Sequence, residues 1–364
     1  MTFKLIFENL RHRPLRTALS VLLIGVPVTL ILTLVGLSHG MLEESARRAQ
    51  GVGADILVRP PGSSLLSFSG APLREALVAK LAQEPHVVLA TGTIVQSDKG
   101  LSLVTGVDPD SFNKMSGGFE YPEGGPFKGP NDILIDDYYA RQLHAHAGST
   151  INVLNRNWRV AGIFVAGKLA HIVVPLRVLQ DLTGNTGKVT QIYLKLDNPA
   201  NVGAVIASLK QKYPEHPILS MPDILSLTSV NNVPGLRSFI SVIVGISIIV
   251  GFAVVCLSMY MAVLQRTREI GILKSLGASR TYILELIVAE AFMLGLAGTV
   301  LGIILSFGAR WLIWRLVPAS LQQAIVPEWW PIAGLIALFA SLLGALYPGI
   351  AAARQDPIEA LAYE

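Results

Sequence analysis

The chain has 364 residues and a net charge of +4, yet only 15% of its residues are charged, where soluble domains carry about 25%. Hydrophobic residues make up 51%, and mean hydropathy is +0.52. Such values exclude a cytosolic enzyme, a disordered tail and a disulfide framework. The charge is also uneven: residues 43–237 hold 35 of the 54 charged residues. That pattern describes a membrane protein with one long water-compatible segment.

Residues 1–16 open the chain with Phe3, Ile6, Phe7 and Leu10 at helical spacing and Lys4, Glu8 and Arg11 between them. One apolar stripe on a short helix suits the bilayer interface. The first span is predicted over 17–42, between Arg16 and Glu43. Its apolar run is longer than a signal-peptide core and no small-x-small site closes it, so it reads as an anchor. Pro27 falls inside it.

Residues 43–237 alternate strand-like and helix-like runs. Strands are predicted at 55–58, 87–95, 101–107, 151–154, 160–165, 172–174 and 191–196. Helices are predicted at 73–82, 136–144, 176–182 and 202–212. Turn signals such as Asp108-Pro109 and Gly124-Gly125-Pro126 separate them. The segment is long enough to bury its own core. The expected fold is a large extracytoplasmic α+β domain of two lobes, one from 54–107 and 188–220, the other from 108–187 inserted between them.

Three further spans follow, at 238–265, 281–316 and 329–353, each longer than the ~20 residues a transmembrane helix needs. Between them lie a loop at 266–280 and a short outer loop at 317–328, and 354–364 forms a tail. With four transmembrane α-helices, both termini share one side. Outside residues 43–237 there are eleven Lys or Arg; all but Arg310 and Arg315 fall on the side of the termini and the 266–280 loop. The positive-inside bias makes that side cytoplasmic and places 43–237 outside. The basic residues flank spans and form no patch, so nucleic acid is not an expected partner. The lone cysteine, Cys256, lies within the second span and reads as a packing residue.

Catalytic motifs are missing. No G-x-x-x-x-G-K-[ST], H-E-x-x-H, G-x-S-x-G or paired C-x-x-C occurs, so no catalytic, cofactor or metal residues are assigned and the chain is not expected to be an enzyme. His144 and His146 point apart on a helix and read as surface residues. Glu290, inside the third span, is either a functional intramembrane charge or a carboxylate satisfied by a neighbouring helix; the residues alone leave both open.

The most specific feature is the run from Arg266 to Ser279, R-T-R-E-I-G-I-L-K-S-L-G-A-S. Ile270, Leu273 and Leu276 read as one apolar face. Arg266, Arg268, Glu269 and Lys274 carry the charge, Gly277 can end the turn, and Ser279 can cap the next helix. Such a helix either lies on lipid or docks on a soluble partner.

This run resembles the signature loop of the MacB/FtsX-like superfamily of ABC transporter permeases. Glu8-Asn9-Leu10 with Arg16-Thr17, then Thr105-Gly106-Val107-Asp108 and Ile133-Leu134-Ile135-Asp136, resemble the family's N-terminal and periplasmic segments. The ending Tyr347-Pro348-Gly349, Ala352-Ala353-Arg354 and Pro357 to Leu361 is similar to its C-terminal pattern.

The resemblance implies a bacterial inner-membrane permease subunit with both termini cytoplasmic, paired with a second permease chain as a homodimer. An ABC ATPase subunit on a separate chain would hold ATP and Mg, with no cofactor on this chain. Its contact would be Arg266, Arg268, Glu269, Ile270, Leu273, Lys274, Leu276, Gly277 and Ala278. ATPase closure would push this helix, and the lipid-embedded spans would pass the movement to the outer domains. The implied outcome is export or extraction of a substrate, in company with a periplasmic adaptor and an outer-membrane channel in many members. The alternative is an FtsX-like transmitter that controls an extracytoplasmic cell-wall hydrolase without moving cargo.

Overall fold

A computed structural model describes residues 14–63, 72–98, 102–227, 236–265, 267–317, 319 and 321–354. The expected N-terminal interfacial helix and most of the C-terminal tail lie outside the described residues. The chain forms two compact units. A helical unit takes Met1–His39, Pro234–Leu312 and Gln323–Glu364; a sheet unit takes Gly40–Val233 and Ile313–Gln322.

The first helix, α1 (Pro14–Gln50), has 37 residues and is about 55 Å long at 1.5 Å per residue. That exceeds the ~30 Å hydrocarbon core of a bilayer. The charges that close the apolar run at Glu43 end the span but not the helix. Glu44 takes Arg47 at 3.1 Å and Arg48 at 3.2 Å, pairs at i, i+3 and i, i+4 that favour helix.

In the sheet unit the elements run β1 (Ile56–Val58), β2 (Leu73–Arg74), α2 (Ala76–Leu81), β3 (Val87–Ser97), β4 (Leu103–Val107), α3 (Pro109–Ser116), β5 (Glu123–Gly124), β6 (Asp132–Asp136) and α4 (Asp137–Leu143). Then come β7 (Thr150–Val153), β8 (Arg156–Phe164), β9 (Ile172–Pro175), α5 (Leu176–Leu182), β10 (Lys188–Val189), β11 (Gln191–Leu196), α6 (Val202–Lys212), β12 (Ile218–Ser220) and α7 (Met221–Leu227). One sheet has the order β12-β1-β11-β3-β4-β9-β6-β8-β5, with β7 on β8; β10 and β2 pair separately.

Strands β1, β4, β6, β9 and β11 are buried on both faces, as in a sheet covered by helices on both sides. Ile56, Val58, Ile133, Ile135, Ile172, Val174, Ile192 and Leu194 enter one core with Leu81, Tyr139, Leu179 and Leu209 from α2, α4, α5 and α6. Leu57, Leu134, Val173 and Tyr193, one residue out of phase, enter a second core with Phe112 and Met115 from α3 and Met221 and Ile224 from α7. The α+β reading therefore resolves into a sheet with helices on both faces.

The expected division into two lobes falls inside this sheet. β3 pairs with β11 through Val87–Thr93 and with β4 through Ile94–Ser97, and β4 continues into β9 by parallel pairing. The two predicted sets of residues thus meet at the β4–β9 pairing, and one sheet runs through both. Two local readings also change. Leu73–Arg74 is strand rather than the first turn of a helix, paired with Lys188 and Val189. Asp108-Pro109 is a helix start: the Asp108 carboxylate accepts the Ser111 N–H at 3.1 Å, and Pro109 occupies the first helical position.

Asp132 anchors the start of β6. It is 2% exposed and accepts the N–H groups of Lys128 (2.6 Å) and Gly129 (2.9 Å) and two bonds from Arg159 (2.9 and 2.7 Å). Burial works against its charge, but those donors outweigh it and hold the carboxyl below the usual carboxylate range. Its contribution is therefore present above the unfolded value of about 3.9 and is lost as pH falls through the lower folded value. Asp132→Ala should destabilise the sheet unit by about 2–4 kcal/mol, because buried N–H donors lose their acceptor. Thermal melts of the full chain at pH 7 and below pH 4 check this, the gap between variant and parent narrowing in acid.

The helical unit contains α8 (Leu236–Gln265), α9 (Thr267–Ser275), α10 (Arg280–Leu316) and α11 (Trp329–Arg354), with α1 up to His39. Among the described residues four helices are long and apolar enough to cross a membrane: Thr17–Gln50, Ser238–Gln265, Arg280–Leu316 and Trp329–Arg354. Small residues set their approach. A Cβ built on Gly298 would lie 2.5 Å from Ile24, and one on Gly302 2.6 Å from Val28 and 2.8 Å from the Gly25 carbonyl. Thr29 Oγ1 donates to the Gly302 carbonyl at 3.1 Å, and the Ser20 and Ser258 hydroxyls meet at 2.6 Å between α1 and α8. Gly295 faces Ser341, and Gly344 faces the backbone of Phe252 and Cys256.

Candidate functional site

α9 lies between α8 and α10, and its ends are closed by its own residues. At the start, Thr267 Oγ1 donates to the carbonyls of Val263 (3.2 Å) and Leu264 (3.0 Å), satisfying the end of α8. At the other end Gly277 has φ +96. Its N–H reaches the Lys274 carbonyl at 3.0 Å, and the Ala278 N–H reaches the Leu273 carbonyl at 2.9 Å. This is a glycine-terminated helix end with the bond spanning five residues. Ser279 Oγ then accepts the Tyr282 N–H at 3.1 Å, capping α10 as expected. Lys274 Nζ donates to the carbonyl of Ala353 at 3.0 Å, in the last turn of α11. A cation on helix-terminal carbonyls is favourable, and the bond ties α9 to α11.

The apolar face divides differently from the sequence reading. At 100° per residue, Leu276 lies about 120° around the helix from Ile270, so Ile270, Leu273 and Leu276 do not form one stripe. Ile270 is 7% exposed and packs with Val263, Ile283 and Ile287; Leu273 and Ala278 pack against the same cluster. The apolar residues turned outward are Ile272, 45% exposed, and Leu276, 80% exposed, which are i, i+4 neighbours. Arg268 is one turn before Ile272; Arg268, Glu269, Ser275 and Gly277 are exposed. Arg266 lies outside the described residues. The missed member is Ile272, and its i, i+4 spacing to Leu276 was the available signal.

Glu290 is 5% exposed and shares the inward face of α10 with Ile283, Ile287, Ala291 and Leu294. With Glu269, Ile270 and Leu273 it lines a cleft of about 90 Å³ between α8, α9 and α10. The structure thus brings Glu290 together with α9, and a buried carboxylate is engaged here by the protein itself.

No group of three or more His, Cys, Asp or Glu able to hold a metal occurs among the described residues. What this arrangement offers is an outward Arg268/Ile272/Leu276 surface on a short helix whose opposite face packs into the bundle.

Residues 17–212 match the MacB-like periplasmic core domain and residues 241–357 the FtsX-like permease C-terminal region. The chain is 39% identical over 132 residues to the uncharacterized ABC transporter permease YknZ of Bacillus subtilis (strain 168), covering 35% of this chain and 32% of that protein. It is 25% identical over 396 residues to the macrolide export ATP-binding/permease protein MacB of Shewanella sp. (strain W3-18-1), covering 100% of this chain and 60% of the relative. The chain therefore spans a third to three fifths of the length of these relatives. The crystal structure of the periplasmic region of MacB from Actinobacillus actinomycetemcomitans aligns with a TM-score of 0.39 at 13% identity, covering 51% of this chain and 97% of that one.

Proposed function

Because this chain belongs to the ABC transporter permeases with a MacB-like periplasmic core domain and an FtsX-like C-terminal region, we propose that it couples ATP hydrolysis by a separate ATPase subunit to export or extraction of a substrate at the outer face of the inner membrane. The ATPase would hold ATP and Mg; this chain would supply the moving spans and the extracytoplasmic domain. The observation that carries the reading is α9: an apolar pair, Ile272 and Leu276, stands outward beside Arg268 and Glu269, while Ile270 and Lys274 fasten the helix to the bundle. A push on the outer surface of α9 is then passed to α10 and α11. Pairing with a second copy, and with an adaptor and outer-membrane channel, belongs to the same reading.

Affinity purification of the tagged chain from its native membranes in mild detergent tests it. The expected result is co-isolation of an ABC ATPase, with ATP turnover in the complex and none in the chain alone. Turnover by the isolated chain, or a complex free of any nucleotide-binding subunit, contradicts the reading.

The topology follows from the distribution of basic residues. In a Cys256→Ser background, Ser275→Cys should resist a membrane-impermeant thiol reagent in intact cells, whereas Asn185→Cys should react. The reverse pattern would invert the proposed orientation.

A further inference from the structure

Four charged or titratable side chains from three segments far apart in sequence meet in the sheet unit. Glu44, 3% exposed, sits in the last turns of α1 and accepts from Arg47 Nη2 at 3.1 Å and Arg48 Nε at 3.2 Å. Arg48 Nη2 donates to His171 Nε2 at 2.8 Å. With Nε2 accepting, the ring proton lies on Nδ1, which donates to Asp136 Oδ2. Asp136 is 1% exposed; its other oxygen accepts the Tyr139 N–H at 2.8 Å and so caps α4. The backbone runs in parallel: Asp136 N–H bonds the His171 carbonyl at 2.9 Å, and Leu169 N–H bonds the Arg48 carbonyl at 3.3 Å. Each buried group thus has a partner, in the order helix, guanidinium, imidazole, carboxylate, helix.

The far end of α4 holds a second segment of the sheet unit, residues 313–322. Gln142 Oε1 accepts the Ala319 N–H at 3.2 Å, Ala319 is buried in the core under α4, and the Arg141 guanidinium lies 5.8 Å from the Trp314 ring centre. Residues 313–316 are the last of α10. The seven-residue helix α4 is thus linked to α1 through Asp136 and His171 at its start, and to the end of α10 and Ala319 through Arg141 and Gln142 at its far end.

Buried ion pairs are weak stabilisers compared with apolar packing of the same volume, and their best-attested use is to fix one geometry. We propose that Glu44, Arg48, His171 and Asp136 form a latch that makes the last turns of α1, strands β6 and β9 and helix α4 one body, so that displacement of α1 or of residues 313–322 is delivered to the sheet without a hinge. These are positioning residues, and the inference rests on the ATP-coupled reading above.

The test is hydrogen exchange read by mass spectrometry on the full chain in complex with its copurified ATPase, nucleotide-free and trapped with ATP and vanadate. In the parent, peptides covering β6, α4 and β9 change protection with nucleotide. In Arg48→Met/His171→Leu, Glu44 keeps Arg47 and Asp136 keeps the Tyr139 N–H. The change should fall below about a fifth of the parent's while ATP turnover persists. If that double variant fails to melt as a folded unit, Glu44→Gln replaces it, with the same loss expected in weaker form. Arg48→Cys/His171→Cys in a Cys256→Ser background, bridged by a bifunctional thiol reagent of about 10 Å, should restore the response, which a merely structural role would not. A folded variant that responds as the parent does, or a bridge that restores nothing, overturns the latch. A parent that shows no nucleotide response overturns the ATP-coupled reading instead.

Discussion

A chain carrying Leu276→Asp is expected to lose its ATPase while its spans stay folded. Leu276 is 80% exposed at the end of α9, so a carboxylate there remains solvated in the free chain and costs it little. Against a partner surface the same carboxylate must be desolvated. Loss of a central apolar anchor in an interface costs about 2–4 kcal/mol, which is a roughly 30- to 700-fold loss of affinity at ~1.4 kcal/mol per tenfold. Ile272→Asp, one turn earlier on the same face, should act in the same direction. Leu273→Asp is the informative contrast. Leu273 packs against the Ile270, Ile283 and Ile287 cluster, so a charge there is buried without a partner and should lower the melting temperature of the bundle as well. Copurification of the ATPase with each variant, beside melting curves in detergent, separates the two faces. Normal capture by Leu276→Asp would leave α9 lying on lipid.

Gly302→Leu should disrupt the contact between α1 and α10. The first added carbon already lies 2.6 Å from Val28 and 2.8 Å from the Gly25 carbonyl, and backbone cannot rotate away as a side chain can. Overpacking of a tight contact typically costs 1–3 kcal/mol and sometimes more, and the Thr29 to Gly302 bond would be lost with it. We expect a drop of about 3 kcal/mol or more in denaturant unfolding in micelles, with reduced yield from membranes. Gly308→Leu, on the same helix but with nothing within 4 Å, is the control and should be close to neutral. Equal behaviour of the two variants would show that α1 and α10 do not touch as described.

Much of the architecture is legible in the sequence because it rests on long apolar runs. The four spans were visible as uncharged stretches, and β11, α5 and α6 fall where alternation and helical spacing place them. What could not be read depends on partners remote in sequence. The last turns of α1 looked like the start of a soluble domain because Glu44, Arg47 and Arg48 end the apolar run; only their pairing shows that the helix continues. The strand β6 appeared in the sequence only as part of a family resemblance, and β12 was missed because three residues carry too little periodicity. The connection of His171 and Asp136 to Arg48 has no local signal, since it exists only after the sheet has formed. At the candidate site, position and end signals are legible in Gly277 and Ser279. The inward and outward faces are not, because Ile270 and Leu276, six residues apart, lie about 120° around the helix from each other.

If ATP binding by an ATPase docked on α9 moves the extracytoplasmic domain, the two should shift relative to each other with nucleotide. Spin labels at Ser275→Cys and Asn185→Cys in a Cys256→Ser background, measured by pulsed electron resonance in the lipid-reconstituted complex, address it directly. The label separation should differ between the nucleotide-free and the ATP-vanadate states and return after nucleotide is washed out. An unchanged distance in a complex that is turning over ATP would contradict it.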